Sequence, residues 1–254
     1  MSLEGDLDLA GRAARRGAAA ALHRFRTALA VERKRTPVDV VTLADHESEA
    51  AIAALLAAER PDDAIVGEEG TARGGGGRRW VVDGLDGTFN FVSGVPHWCV
   101  AVALEEAGGV LAAAVHDPLR DEHFCAARGL GCRAAGRPCA VREGRALHEA
   151  LVATFLRTDK LAGGDAAPVL AALTERAGML RMSGSGTLDL AWVAAGRVDG
   201  WAQPNVDDWD WLPGSLLVEE AGGSCTVLDG EPAWHVAGSP AVAAGLRELL
   251  RGPS

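Results

Sequence analysis

Asp83 and Asp86 stand three positions apart in the segment WVVDGLDGT, directly after an apolar run that reads as a strand. An Asp-x-x-Asp turn can aim both carboxylates, and an intervening carbonyl such as that of Leu85, at one point. Glu68 ends the preceding short strand and Asp210 stands at the start of a later helix. Magnesium binds few carboxylates at near-octahedral geometry, keeps several waters and takes phosphate oxygens as further ligands, so acids converging from the ends of rigid elements suit it. Gly87 and Thr88 follow at once, where backbone N–H groups at a helix start offer an anion site beside the cation site. The chemistry indicated is metal-assisted attack of water on a small phosphate monoester. The competing reading of DGLDG is a tight turn whose aspartates bond their own backbone. For Asp210 it is a helix N-cap, a role compatible with ligation.

The elements that must position these residues are legible in outline. Leu7 to Ala30 reads as one long amphipathic helix. After Pro37, VDVVT reads as a strand, and Thr42 to Asp45 fits a capping box that opens a second helix running to about Glu59. Pro61 ends that helix, Ala64 to Val66 forms a short strand into GEEG, and Gly70 to Gly77 forms a loop before Trp80 to Val82. Apolar runs from Trp98 to Leu104, Gly109 to His116 and Glu122 to Ala126 form a meander of sheet. The polar stretch near Arg137 to Leu147 marks a boundary between an N-terminal lobe, residues 1–140, and a C-terminal lobe, residues 141–254. Beyond it lie a strand over Ala150 to Phe155 and a helix over Ser185 to Ala195. Another helix begins almost at Asp210 with Pro213 in its first turn and Gly222-Gly223 at its exit, and a last one opens at Ser239-Pro240. The fold class is α/β (α+β), helices layered on sheets.

Composition narrows the function classes. A formal charge of −10 and the lack of a basic stripe argue against nucleic acid as partner. No stretch approaches the roughly 18 apolar residues of a membrane span, and MSLEGDLDLA has no apolar signal core, so a cytoplasmic protein is expected. The five cysteines form no CxxC pair and read as reduced and structural.

Three motifs in order, GEE at Gly67 to Glu69, DGLDGT with Asn90-Phe91, and Trp209-Asp210 before EAGG, resemble the inositol monophosphatase family. PVDVVTLAD from Pro37 and GSGTLDLAWVAAG from Gly184 extend the resemblance over most of the chain. It implies a layered α-β-α-β-α sandwich, a homodimer, two or three magnesium ions, lithium sensitivity and a small phosphorylated metabolite as substrate. It places Glu68, Asp83 and the Leu85 carbonyl at one metal site and Asp83, Asp86 and Asp210 at a second. Thr88, oriented by Asp45, resembles the pair that positions the attacking water, with Glu68 assisting. Lys34 matches a lysine near the metals, although it also reads as one more solvated cation of ERKR. Gly87, Thr88, Gly184 and Ser185 match positions lining the phosphate and its leaving group. His97 reads as structural or as a subunit contact, and Trp98, Trp192, Trp209 and Trp211 as core or interface.

Three positions depart from the pattern. Gln203 stands where inositol-hydrolysing relatives carry a glutamate that bonds sugar hydroxyls, Gly84 where a proline is usual, and Phe89 where a small polar residue is usual. An inositol 1-phosphate type of substrate leads. Histidinol phosphate or another amino or sugar alcohol phosphate, a 3′-phosphonucleotide and fructose bisphosphate remain alternatives. Asp207 and Asp208 suit a cationic substrate or form a solvated turn.

Overall fold

The computed structural model describes residues 2–34, 36–156 and 166–251. Its elements in chain order are α1 (Leu3–Leu22), β1 (Val31–Arg33), β2 (Val40–Thr42), α2 (Leu43–Glu59), β3 (Ala64–Gly67), β4 (Ala72–Arg73), β5 (Arg78–Asp86) and α3 (Thr88–Val92). The meander follows as β6 (Cys99–Glu106), β7 (Gly109–Asp117), β8 (Glu122–Ala127), β9 (Gly131–Ala134) and β10 (Arg137–Pro138). The remainder comprises β11 (Leu151–Thr154), α4 (Ala166–Arg176), β12 (Met179–Arg181), α5 (Gly186–Ala194), β13 (Gly200–Pro204), α6 (Asp208–Glu220), β14 (Ser224–Leu228), β15 (Trp234–Gly238) and α7 (Pro240–Arg251).

Strict alternation in the meander strands explains the layers. Val100, Val102 and Leu104 of β6 face one way and pack with the alanine stripe of α1 (Ala10, Ala13, Ala14, Ala18) and with Ile52 and Leu56 of α2. Cys99, Ala101 and Ala103 face the other way, against Leu188 and Ala191 of α5 and Leu216 and Leu217 of α6. Small side chains, the alanines of α1 on one side and Cys99, Ala101 and Ala103 of β6 on the other, let helices approach the sheet closely. The eight-stranded sheet runs β10-β9-β8-β7-β6-β5-β3-β4 and the five-stranded sheet β12-β11-β13-β15-β14. Helices α5 and α6 lie between the two sheets, since Trp201 and Ala237 of the second sheet join the same core. On that sheet's far face, Val242 and Leu246 of α7 and Leu173 of α4 close a third core. This is the expected α-β-α-β-α sandwich. Among the described residues no helix is long and apolar enough to cross a membrane.

Three local differences from the sequence reading have physical causes. Helix α1 stops at Leu22, well short of Ala30, because Phe25 turns inward to pack on Phe91 and Trp98, with ring centroids 5.3 and 5.8 Å away, and Arg26 takes a positive φ of 62°. Helix α6 opens at Asp208, so Pro213 falls in its second turn, where it cannot donate to the Trp209 carbonyl. The short strands β1, β4, β9, β10 and β12, strand β13, the paired β14 and β15, and helix α4 were not evident from pattern, whereas α3 starts at Thr88 as read. All five cysteines are free thiols.

Candidate metal and phosphate site

Asp83 and Asp86 do not follow β5; they lie within it, and the strand is bulged between them. Asp83 pairs with Ala101 and Asp86 with Cys99, so three steps along β5 match two along β6. In a regular strand an i, i+3 pair points to opposite faces, and the extra residue returns both carboxylates to the face of Ala101 and Cys99. That face is covered by α5 and α6, which bring the remaining groups.

Gly84 makes the bulge possible at this depth. A Cβ there would stand 2.9 Å from both the Asp45 carbonyl oxygen and the Glu49 backbone nitrogen of α2. Gly84→Ala is therefore expected to push α2 away from β5 and cost about 1–3 kcal/mol, read as a lower urea midpoint with an unchanged m-value.

Asp86 is held from α5. Its Oδ2 accepts the Ser185 hydroxyl at 2.6 Å and the Thr187 backbone N–H at 2.8 Å, with the Cys99 thiol at 3.7 Å. Ser185, the N-cap residue of α5, makes no side-chain cap bond, so Asp86 caps that helix from a strand 99 positions away in sequence. Asp210 lies in the first turn of α6, where the helix dipole favours a carboxylate, and its backbone carbonyl accepts the Thr187 hydroxyl at 3.0 Å. Asp83, Asp86 and Asp210 each present an oxygen within 4.8 Å of the others.

Asp83 is 1% exposed. Its Oδ1 accepts the Leu85 N–H at 2.8 Å, while its Oδ2 is buried with no hydrogen-bond partner among the described residues. Burial, then the charges of Glu68, Asp86 and Asp210, push its carboxyl well above the usual range. A buried, unpaired oxygen amid like charges is a poor arrangement for a bare fold and a good one for a divalent cation, so the donor set fits magnesium.

Glu68 follows β3 on the rim of the same cavity. Burial pushes its carboxyl up to about 7, with Glu69 and Asp45 adding and Lys34 opposing. The Lys34 ammonium bonds Glu68 at 3.0 Å and Glu69 at 2.5 Å. Burial alone would lower its pKa, but these two acids hold it above the usual range. Lys34 is thus an ion-pair partner of a site carboxylate, not a solvated cation.

The capping box forms as expected and does more than cap. Asp45 Oδ2 accepts the Thr42 N–H at 2.8 Å and the Thr42 hydroxyl at 2.7 Å, leaving Oδ1 to accept the Thr88 hydroxyl at 2.8 Å. The Thr88 Oγ1 also lies 3.1 Å from the Leu85 carbonyl oxygen. Burial raises the Asp45 pKa, against the bonds from Thr42 and Thr88. Gly87 takes φ 97° at the start of α3, and a Cβ there would meet the His97 carbonyl at 3.1 Å and Ser185 at 3.2 Å.

The metal-site acids Glu68, Asp83, Asp86 and Asp210 line one cavity of about 570 Å³ with Lys34, Gly87 and Thr88, and with Gly184, Gly186, Gln203, Phe89, Asp207 and Trp209; Asp45 touches it only through Thr88. Ser185 reaches it only through Asp86. Of the two acids ahead of Asp210, Asp207 lines the cavity, while Asp208 pairs with Arg79 at 2.7 Å. His97 is 7% exposed, stacked edge-on against Trp192 and 3.4 Å from Asp189. Trp98 is core, whereas Trp209 is a cavity wall.

Two supporting residues escaped the sequence reading. Glu49 of α2, 2% exposed, accepts the backbone N–H groups of Glu69 at 2.8 Å and Thr71 at 2.9 Å, fixing the loop that carries Glu68. Asn90 donates to the carbonyls of His97 at 2.7 Å and Ser183 at 2.8 Å, tying α3 to the entry of α5. Glu49 lay only near a motif, and Asn90 belonged to one with no role read from it.

Comparison with known proteins finds relatives along most of the chain. The model of the inositol monophosphatase family matches residues 3–252. An inositol-1-monophosphatase of Rhizobium meliloti (strain 1021) is 40% identical over 228 residues, covering 85% of each chain. The Nus factor SuhB of Pseudomonas aeruginosa is 40% identical over 192 residues, covering 73% of this chain and 71% of its own. The crystal structure of the extragenic suppressor protein SuhB from Bartonella henselae superposes with a TM-score of 0.91 at 31% identity, covering 98% of this chain and all of that one.

Proposed function

The chain belongs to the inositol monophosphatase family, and from that premise we propose that it hydrolyses a small phosphate monoester with magnesium. The observation that carries the reading is the convergence of Asp83, Asp86 and Asp210 around a buried, unpartnered Asp83 oxygen. Asp83, Asp86 and Asp210 would hold magnesium, with Glu68 and the Leu85 carbonyl completing the set. Bound there, the metal neutralises phosphate charge and acidifies water. The chain's own groups do the rest. Thr88, anchored on Asp45, orients the attacking water, and the Asp45 carboxylate draws its proton through the Thr88 hydroxyl. Gly87, Thr88 and Gly184 give the phosphate a close backbone approach, with Ser185 steadying Asp86 behind them. Lys34 fixes the orientation of Glu68, and Gln203 meets the leaving group. No covalent phosphoenzyme is required, because positioning and charge neutralisation supply most of the barrier reduction in phosphoryl transfer.

Phosphate release by the purified protein with magnesium tests the reading, over a panel of inositol 1-phosphate, histidinol phosphate, fructose bisphosphate and a 3′-phosphonucleotide. Turnover with magnesium, inhibited by calcium and lithium, supports it. The name of the Pseudomonas relative favours a second reading, a Nus-factor role; a protein that binds magnesium yet releases phosphate from no substrate would point there. The proposal includes a homodimer, read as twice the chain mass in light scattering.

The pKa of Glu68 gives a further expected result. Its folded value of about 7 exceeds the ordinary 4.5, so between those values the folded state holds a proton the unfolded state has released. This group's contribution to the metal-free protein therefore declines as pH rises through that window and is least favourable above it. Magnesium, which binds the ionised form, is expected to raise the melting temperature more at pH 8 than at pH 5. An equal shift at both would argue against a carboxylate site.

A further inference from the structure

Resting on the phosphatase reading of the same cavity, we propose that the leaving group it accepts is an alcohol carrying an aromatic or heteroaromatic ring, in preference to a polyol. The lining falls into two chemical sets. Glu68, Asp83, Asp86 and Asp210 serve metal and phosphate, and the second set, Val38, Val40, Leu85, Leu156 and the three aromatic residues Phe89, Phe155 and Trp209, is apolar. Both sets are interleaved at one-residue distance: Phe89 directly follows Thr88 in α3, and Trp209 directly precedes Asp210 in α6. A group bonded to a phosphate held at Thr88 and Asp210 shares one cavity with these rings.

Phe89 is 49% exposed, a large apolar side chain left in water at the cavity wall. Covering it with a ring removes apolar area from water and adds the preference of aromatic pairs for stacked or edge-on contact. Covering it with sugar hydroxyls strips their water and returns nothing.

The polar groups of the lining point the same way. Lys34 is committed to Glu68 and Glu69. Thr36, Asp39 and Asp207 each already engage another group. The exception is Gln203, 6% exposed, whose Oε1 is buried with no hydrogen-bond partner among the described residues. A Cβ at Gly186 would come 3.0 Å from that oxygen, so the glycine keeps space beside it. One neutral acceptor matches one N–H or O–H on a ring edge; a polyol presents many donors to it.

The test uses the purified protein with magnesium and reads binding and turnover separately. Calorimetry compares 3-phenylpropylphosphonate with methylphosphonate, neither of which can be hydrolysed. Phosphate release compares 2-phenylethyl phosphate with inositol 1-phosphate, two alkyl esters with similarly poor leaving groups. The ring-bearing member of each pair is expected to be favoured about tenfold, in affinity and in kcat/KM. Phe89→Ser, at a half-exposed position outside the buried cores, is expected to erase most of both ratios. Equal affinity for the two phosphonates, or a preference for inositol 1-phosphate that Phe89→Ser leaves unchanged, overturns the inference. Ring preference in binding with no turnover of any ester upholds it and removes the phosphatase reading instead.

Discussion

Replacing Asp83 with asparagine is expected to lower magnesium-dependent phosphate release by about 10³-fold and, at the same time, to raise the melting temperature of the metal-free protein. Asparagine keeps the Oδ1 acceptor that receives the Leu85 N–H, so the bulge survives. What it removes is a buried charge facing Glu68, Asp86 and Asp210, the groups that push the Asp83 carboxyl upward. Relieving that repulsion is worth about 1–2 kcal/mol, or a few degrees for a chain of this size. Activity separates the two readings of the DGLDG segment. If its aspartates only bond their own backbone, the variant keeps that bond and keeps activity. If they form a metal cradle, it gains stability and loses activity, because the strain was held for a cation. Phosphate-release assays and metal-free melting curves on the one variant decide between them.

The contrast between those readings shows what the sequence could and could not carry. Residue types and order sufficed to nominate Glu68, Asp83, Asp86 and Asp210, because acids at the ends of apolar runs are visible without coordinates. How Asp83 and Asp86 share a face was not visible. Alternation assigns an i, i+3 pair to opposite faces, and only the register against Ala101 and Cys99 reveals the extra residue. The Asp86 bonds from Ser185 and Thr187 cross 99 and 101 positions, and no local pattern encodes such a contact. Glu49 looked like one more acid on a helix, and its burial appears only once the Glu69 to Thr71 loop folds over it. Strands of two to four residues such as β4, β9 and β10 are too short to show a period. The layered architecture was legible because β6, β7 and α1 carry long, regular apolar patterns. Gly84 was legible as a departure from a family pattern, and its reason, the 2.9 Å approach to α2, was not.

Asp45 offers the second large expected effect, and a paired substitution isolates its cause. Its two oxygens serve different masters: Oδ2 takes the N–H and hydroxyl of Thr42 in the cap of α2, and Oδ1 takes the hydroxyl of Thr88 at the cavity. Asp45→Asn has one oxygen left for the cap and presents an N–H to the Thr88 hydroxyl, which must then accept and turn its own O–H to the Leu85 carbonyl, and the amide cannot accept a proton from water. Phosphate release is expected to fall about 10²–10⁴-fold, the range for loss of a positioned general base, with a flattened acid limb in the pH profile. Thr42→Ala removes the cap hydroxyl while leaving the Asp45 carboxylate on Thr88. It is expected to cost about 1 kcal/mol of stability with kcat within a few-fold of the parent. A capping box without a catalytic role would make the two variants alike, both less stable and both active. Divergence, with Asp45→Asn nearly inactive and Thr42→Ala merely less stable, assigns the carboxylate to the reaction and the threonine to the fold.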